Sequence, residues 1–146
     1  MKKFEFSLTA LYSMKENNEK QQKMQLKNIQ NEINDLESKI AAVNADYAKA
    51  KDEFGDNVTT GLGASHATNY GDYFSKLRTV AEQIAIKKNK LERKKEKVLA
   101  KLIETRKEKV MLEKLRDKEY EEYLSEIKKK QDKELDDFFS YQVTVS

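Results

Sequence analysis

The sequence predicts an all-α protein, a two-helix antiparallel coiled-coil hairpin whose C-terminal helix is the longer. Three observations carry that reading. Residues 26–54 place apolar side chains at alternating spacings of three and four, and all the glycines, Gly55, Gly61, Gly63 and Gly71, follow just beyond them. Proline is absent from the 146 residues, where average usage of about 5% would give roughly seven. A chain that lacks the main helix breaker is built for long uninterrupted helices.

The first helix is predicted over about residues 8–54. Phe6 and Leu11 are spaced as a hydrophobic staple around Ser7, which reads as the N-cap. Leu26, Ile29, Ile33, Leu36, Ile40, Val43, Tyr47, Ala50 and Phe54 then form one narrow seam, the pattern of a helix zipped to a partner helix. Extended backward, that seam meets Gln22, Glu19 and Lys15 before reaching Tyr12 and Leu8, so residues 13–25 are expected to pair loosely.

Residues 55–69 are written in Gly, Asp, Asn, Thr, Ser and Ala, the vocabulary of turns. Closing a loop of about 15 residues costs on the order of 2.4 kcal/mol. A few buried leucines, at about 1.5 to 3 kcal/mol each, offset it. A hairpin is thus favoured over a parallel dimer, which would carry the glycines inside two continuous helices.

The second helix is predicted over about residues 70–141. Leu77, Ile84, Leu91, Val98, Thr105 and Leu112 recur at sevens, but the companion positions are Ala81, Lys88, Lys95, Leu102, Lys109 and Arg116, so half of this seam is cationic. Past Leu112 the pattern slips, and the supercoil relaxes. With residue 62 at the tip, Leu36 faces roughly Lys88 and Leu8 roughly Arg116. Everything beyond about residue 117 is then left without an antiparallel partner, an overhang of roughly 40 Å at about 1.5 Å per residue. Residues 141–146 alternate too briefly to assign and read as disordered.

Composition narrows the function classes. With 38% charged and 38% hydrophobic residues there is little to fill a thick core. No cysteine means no disulfide, thiol nucleophile or thiolate metal site. Glu5 and Lys15 interrupt any signal-peptide pattern, no stretch approaches the ~20 apolar residues of a membrane span, and a soluble cytoplasmic protein without membrane insertion is expected. The net charge of +3 is uneven: residues 87–118 carry 14 basic and 6 acidic groups, whereas residues 119–146 carry 4 and 8.

No residue pattern points to catalysis, a cofactor or a metal. His66 is the sole histidine, and a metal needs several converging ligands. Gly61-Leu62-Gly63 lacks the remainder of any nucleotide-binding fingerprint. The carboxylates lie wet beside lysines, with no pocket to shift a pKa, so the chain is expected not to be an enzyme. The aromatic set Tyr47, Phe54, Tyr70, Tyr73 and Phe74, with Leu77, either caps the seam or both caps it and leaves a docking patch. The basic block could suit nucleic acid, but its cations are mostly lysines interspersed with acids and without aromatics to stack on bases. A solvated face with i,i+4 ion pairs is the default reading, and contact with an acidic protein surface is the main alternative to it.

The order of several strings resembles a known family. Lys2-Lys3-Phe4-Glu5-Phe6-Ser7-Leu8-Thr9-Ala10-Leu11, Tyr70-Gly71-Asp72-Tyr73-Phe74-Ser75-Lys76-Leu77, Val110-Met111-Leu112-Glu113-Lys114-Leu115 and Gln131-Asp132-Lys133-Glu134-Leu135-Asp136-Asp137 are similar to the opening, the second-helix start and the C-terminal signature of the flagellar export FliJ family. Lys15 stands where that family tends to have an arginine, and Phe74 where it usually has leucine. The resemblance implies a non-enzymatic stalk of the flagellar export apparatus, peripheral at the inner face of the cell membrane. Its paired termini would enter the hexameric export ATPase, FliI-like, through Phe6, Leu8, Leu11, Arg106, Arg116, Tyr120, Leu124 and Ile127. The aromatic turn end would dock on an FlhA-like export gate, and export chaperones are further implied partners. An export-chaperone role along the hairpin, or a stalk of a related type III secretion system, is the alternative.

Overall fold

A computed structural model describes residues 2–61 and 63–145, without the side chains of Ala64, Ser65 and Val145. Leu62, placed above at the tip of the turn, lies outside the described residues, as do Met1 and Ser146. The fold is all-α: α1 spans Thr9–Thr60 and α2 spans Ala64–Val145, packed against each other, with no strand among the described residues.

The helix ends differ from the expectation in physically instructive ways. Leu8, not Ser7, occupies the start of α1, because its carbonyl accepts the Tyr12 N–H at 2.9 Å, while the Thr9 hydroxyl donates to the Phe6 carbonyl at 2.7 Å. Ser7 is engaged elsewhere. At the other end, the loop expected over about 55–69 contracts to the few residues between Thr60 and Ala64. Gly55 in a helix costs about 1 kcal/mol, but continuing both helices brings the Asn57 amide to donate to the Tyr70 hydroxyl at 2.8 Å and sets Phe54 edge-on to Tyr70. Tertiary pairing outweighs local propensity here. Gly61 closes α1 at a φ of +94°, a backbone region that favours glycine, and the Gly63 carbonyl accepts the His66 and Ala67 N–H groups to open α2. Residues 141–145, expected to be disordered, continue α2.

The chain divides into two compact units, Gln22–Lys101 and Met1–Gln21 with Leu102–Ser146. In the first unit, Ile29, Ile33 and Val98 form the buried core, with Leu26 and Leu91 packed on it. Leu77, Ile84 and Ala50 are also buried, at the positions that the heptads assign to the seam. The cationic seam positions are not left bare. Lys88 Nζ lies 3.3 Å from Glu37, and Lys95 Nζ donates to Gln30 Oε1 at 2.8 Å. Each lysine thereby lays its aliphatic stem along the seam and delivers its charge to a polar group on α1.

In the second unit the same helices pair through polarity. Lys15 meets Glu108, Lys109 reaches Glu19 at 3.0 Å, and Tyr12 donates to Glu113 at 2.9 Å, while Leu102, Thr105 and Leu112 of α2 are buried. The stretch with a poor apolar seam is therefore joined by a charged network. The overhang expected past about residue 117 is also shortened. Residues 2–8 run back along α2: the Ser7 hydroxyl and N–H donate to Glu119, the Tyr123 hydroxyl donates to the Lys2 carbonyl at 2.6 Å, and the Phe4 ring sits 5.1 Å from Tyr120 and 5.6 Å from Tyr123. Aromatic packing supplies the partner that helical periodicity did not show. Beyond this clasp, every described side chain from residue 128 to 144 is exposed.

Candidate functional site

Two surfaces collect the residues singled out above. In the unit Gln22–Lys101, the aromatic set assembles where α1 ends and α2 begins. Tyr47 lies 5.1 Å from Phe74, Phe54 lies 5.3 Å from Tyr70 and 6.2 Å from Phe74, and Tyr70 lies 6.3 Å from Phe74. These offset and edge-on contacts hold the two helix ends together. The members are not equally available. Leu77 is buried and Phe54, Tyr70 and Phe74 are half-buried, whereas Tyr47 and Tyr73 are each 42% exposed. Tyr73 borders an open groove of about 470 Å³, lined also by Asp46, Lys49, Glu53, His66, Asn69 and Tyr70 among others. His66 thus stands at a groove edge on α2, in the company of carboxylates and tyrosines. Among the described residues no cluster of His, Cys, Asp and Glu could hold a metal ion.

The other surface belongs to the unit built from both chain ends. Phe6 and Leu8 are half-buried, Leu11, Tyr120 and Leu124 are exposed, and Ile127 is half-buried. Tyr12, which the seam meets beyond Lys15, ties α1 to α2 in this unit. Its ring carries Lys109 Nζ at 5.6 Å and the Arg116 guanidinium at 5.7 Å, and its hydroxyl is tied to Glu113. That hydrogen bond, aided by burial and the charge of Glu113, holds the phenol above its ordinary pKa. The bond to Glu19 likewise raises Lys109, against the opposing effect of burial. Arg106 keeps a looser contact with Glu19, at 3.9 Å, and remains largely in solvent. Of the two arginines named above, Arg116 is thus stacked and Arg106 is presented.

A third feature was not singled out by the seam analysis. Ile103, Val110 and Met111 are 46%, 47% and 65% exposed, and with Arg106 and Lys107 they line an open apolar hollow on α2. Their spacing of seven and eight residues was legible, but it falls off the heptad seam. Searching for the seam alone hides a stripe of this kind.

No helix among the described residues is long and apolar enough to cross a membrane. Searches of curated proteins and of solved structures each return no match. The sequence model described as "Flagellar FliJ protein" matches residues 4–146, essentially all of this two-helix chain. The chain therefore belongs to the FliJ family and is a component of the flagellar export apparatus.

Proposed function

We propose that the protein is a non-enzymatic stalk and coupling element that inserts its paired termini into a hexameric FliI-like export ATPase and touches an FlhA-like export gate with its turn end. The observation that carries this reading is the course of α2 beyond the N-terminal clasp. Past Tyr123 it continues to Val145 with Leu124, Leu135, Phe138, Phe139 and Tyr141 exposed. A single helix with that much uncovered apolar surface is suited to a cavity in a larger assembly. On the ATPase side, Leu11, Arg106, Tyr120, Leu124 and Ile127 make the contacts. Phe6 and Leu8 hold the N-terminal segment in place beside them, and Arg116 holds the Tyr12 ring. On the gate side, Tyr47 and Tyr73 are the rings offered, and Phe54, Tyr70, Phe74 and Leu77 position them.

The test is the rate of ATP hydrolysis and the ring assembly of the cognate ATPase with and without this protein. The expected result is stimulation by the full chain and none by a truncation ending at Tyr123, which keeps every residue of the clasp. An unchanged rate with the full chain sinks the stalk reading. A truncation that still stimulates assigns the activity to another surface and favours a chaperone role along the hairpin.

A further inference from the structure

We infer that the uncovered end of α2 pairs with the same segment of a second copy of this chain, antiparallel, through residues 124–141. The inference does not rest on the function proposed above. It starts from a stripe: Leu124, Ile127, Gln131, Glu134, Phe138 and Tyr141 follow at alternating spacings of three and four, so they lie on one face of α2. Leu124, Phe138 and Tyr141 are 45%, 56% and 66% exposed. Among the described residues, the contacts of the N-terminal segment reach α2 as far as Tyr123, and the stripe continues from there, with Ile127 half-buried.

Charge then selects the occupant and its direction. Set antiparallel about a twofold axis between Asp132 and Lys133, two copies place Leu124 against Tyr141, Ile127 against Phe138, and Gln131 against Glu134, each pair occurring twice. The same arrangement sets Lys130 beside Asp137 on the flank of the seam, again twice, in the pairing of like flanking positions that antiparallel coiled coils use. A parallel pair would instead oppose Glu134 to its own copy in the middle of the seam. Like charges at such a position are destabilising, whereas a Gln–Glu layer supplies donors to the carboxylate and fixes register at some cost in stability. The segment is self-complementary in one direction only. Because its middle layer is polar and its length is about 27 Å at about 1.5 Å per residue, the pairing is weak and depends on concentration. It also uses the face proposed to enter the ATPase, so the two occupants exclude each other.

Sedimentation equilibrium of the full chain over a wide concentration range tests this. The native protein is expected to shift from 17.1 kDa toward twice that mass. Lys130→Asp or Asp137→Lys alone is expected to weaken the dimer about tenfold, by turning two attractive flank pairs into repulsive ones, and Lys130→Asp with Asp137→Lys in one chain is expected to restore it. All are exposed positions, and helicity by circular dichroism verifies that each variant is folded. The chain has no cysteine of its own, so direction can be read separately. A mixture of Gln131→Cys and Glu134→Cys chains is expected to oxidise chiefly to the mixed disulfide. A monomeric mass throughout, single reversals that dimerise as well as the native chain, or preferential crosslinking of Gln131→Cys to itself would each overturn the inference.

Discussion

Ile33→Ala is the most direct probe of what holds the two helices together. Ile33 is 2% exposed and belongs to the cluster with Ile29 and Val98, flanked by Leu26 and Leu91. The substitution removes three carbons, worth about 0.8 kcal/mol each, or about 2.4 kcal/mol in all. Buried Ile→Ala changes span about 2 to 5 kcal/mol, the larger values arising where a rigid surround leaves an empty cavity. Two helices cannot enclose such a cavity, since the seam opens to water on both flanks, and the cost should stay near the lower end. Urea unfolding followed by circular dichroism measures it. With a slope of about 1 to 3 kcal/mol per molar, the midpoint should fall by roughly 1 to 2 M. Ile86→Ala is the control, because Ile86 is 56% exposed and its loss should stay within about 0.5 kcal/mol. If the two variants unfold at the same urea concentration, the seam is not where stability resides and the reasoning fails.

Two further outcomes follow from the geometry. Tyr12 and Lys109 are both held above their ordinary values of 10.0 and 10.5, so the folded state keeps these protons more tightly than the unfolded state. Their contribution is complete below the unfolded values, near pH 10, and is lost as pH rises through the raised folded values. Thermal midpoints should therefore fall on going above about pH 10, and the fall should be shallower in Tyr12→Phe, which also removes the donor to Glu113. At the turn, Gly61→Ala should cost about 1 to 2 kcal/mol, because alanine resists the left-handed backbone. Gly55→Ala should gain about 1 kcal/mol in the helix, no atom lying within 4 Å of the added methyl at either site. Chemical denaturation of the pair separates the two effects.

The seam was legible because it rests on periodicity, which survives any choice of side chains that keeps the spacing. Ile29, Ile33, Leu77, Ile84, Val98, Leu102 and Leu112 lie buried where the threes, fours and sevens put them. The turn was misjudged for the opposite reason. Gly55, Thr59 and Asn57 each disfavour helix by local propensity, and only the contact of Asn57 and Phe54 with Tyr70, thirteen and sixteen residues away, reverses the balance. Tyr12 was legible as a seam position, but its ties to Lys109, Glu113 and Arg116, some hundred residues distant, were not. That Phe74 packs on Phe54 while Tyr73 stays exposed was equally invisible, since sequence shows that aromatics gather but not which ring covers which.

The clasp formed by residues 2–8 carries a consequence for biogenesis. Ser7 and the carboxylate that receives its hydrogen bonds are 112 residues apart. At a synthesis rate of about 5 to 20 residues per second, the opening segment waits roughly 6 to 22 s on the ribosome before Glu119 and Tyr123 exist. This contact closes after the rest of the hairpin has formed, and until then Phe4 and Phe6 are open to any chaperone that favours exposed aromatics.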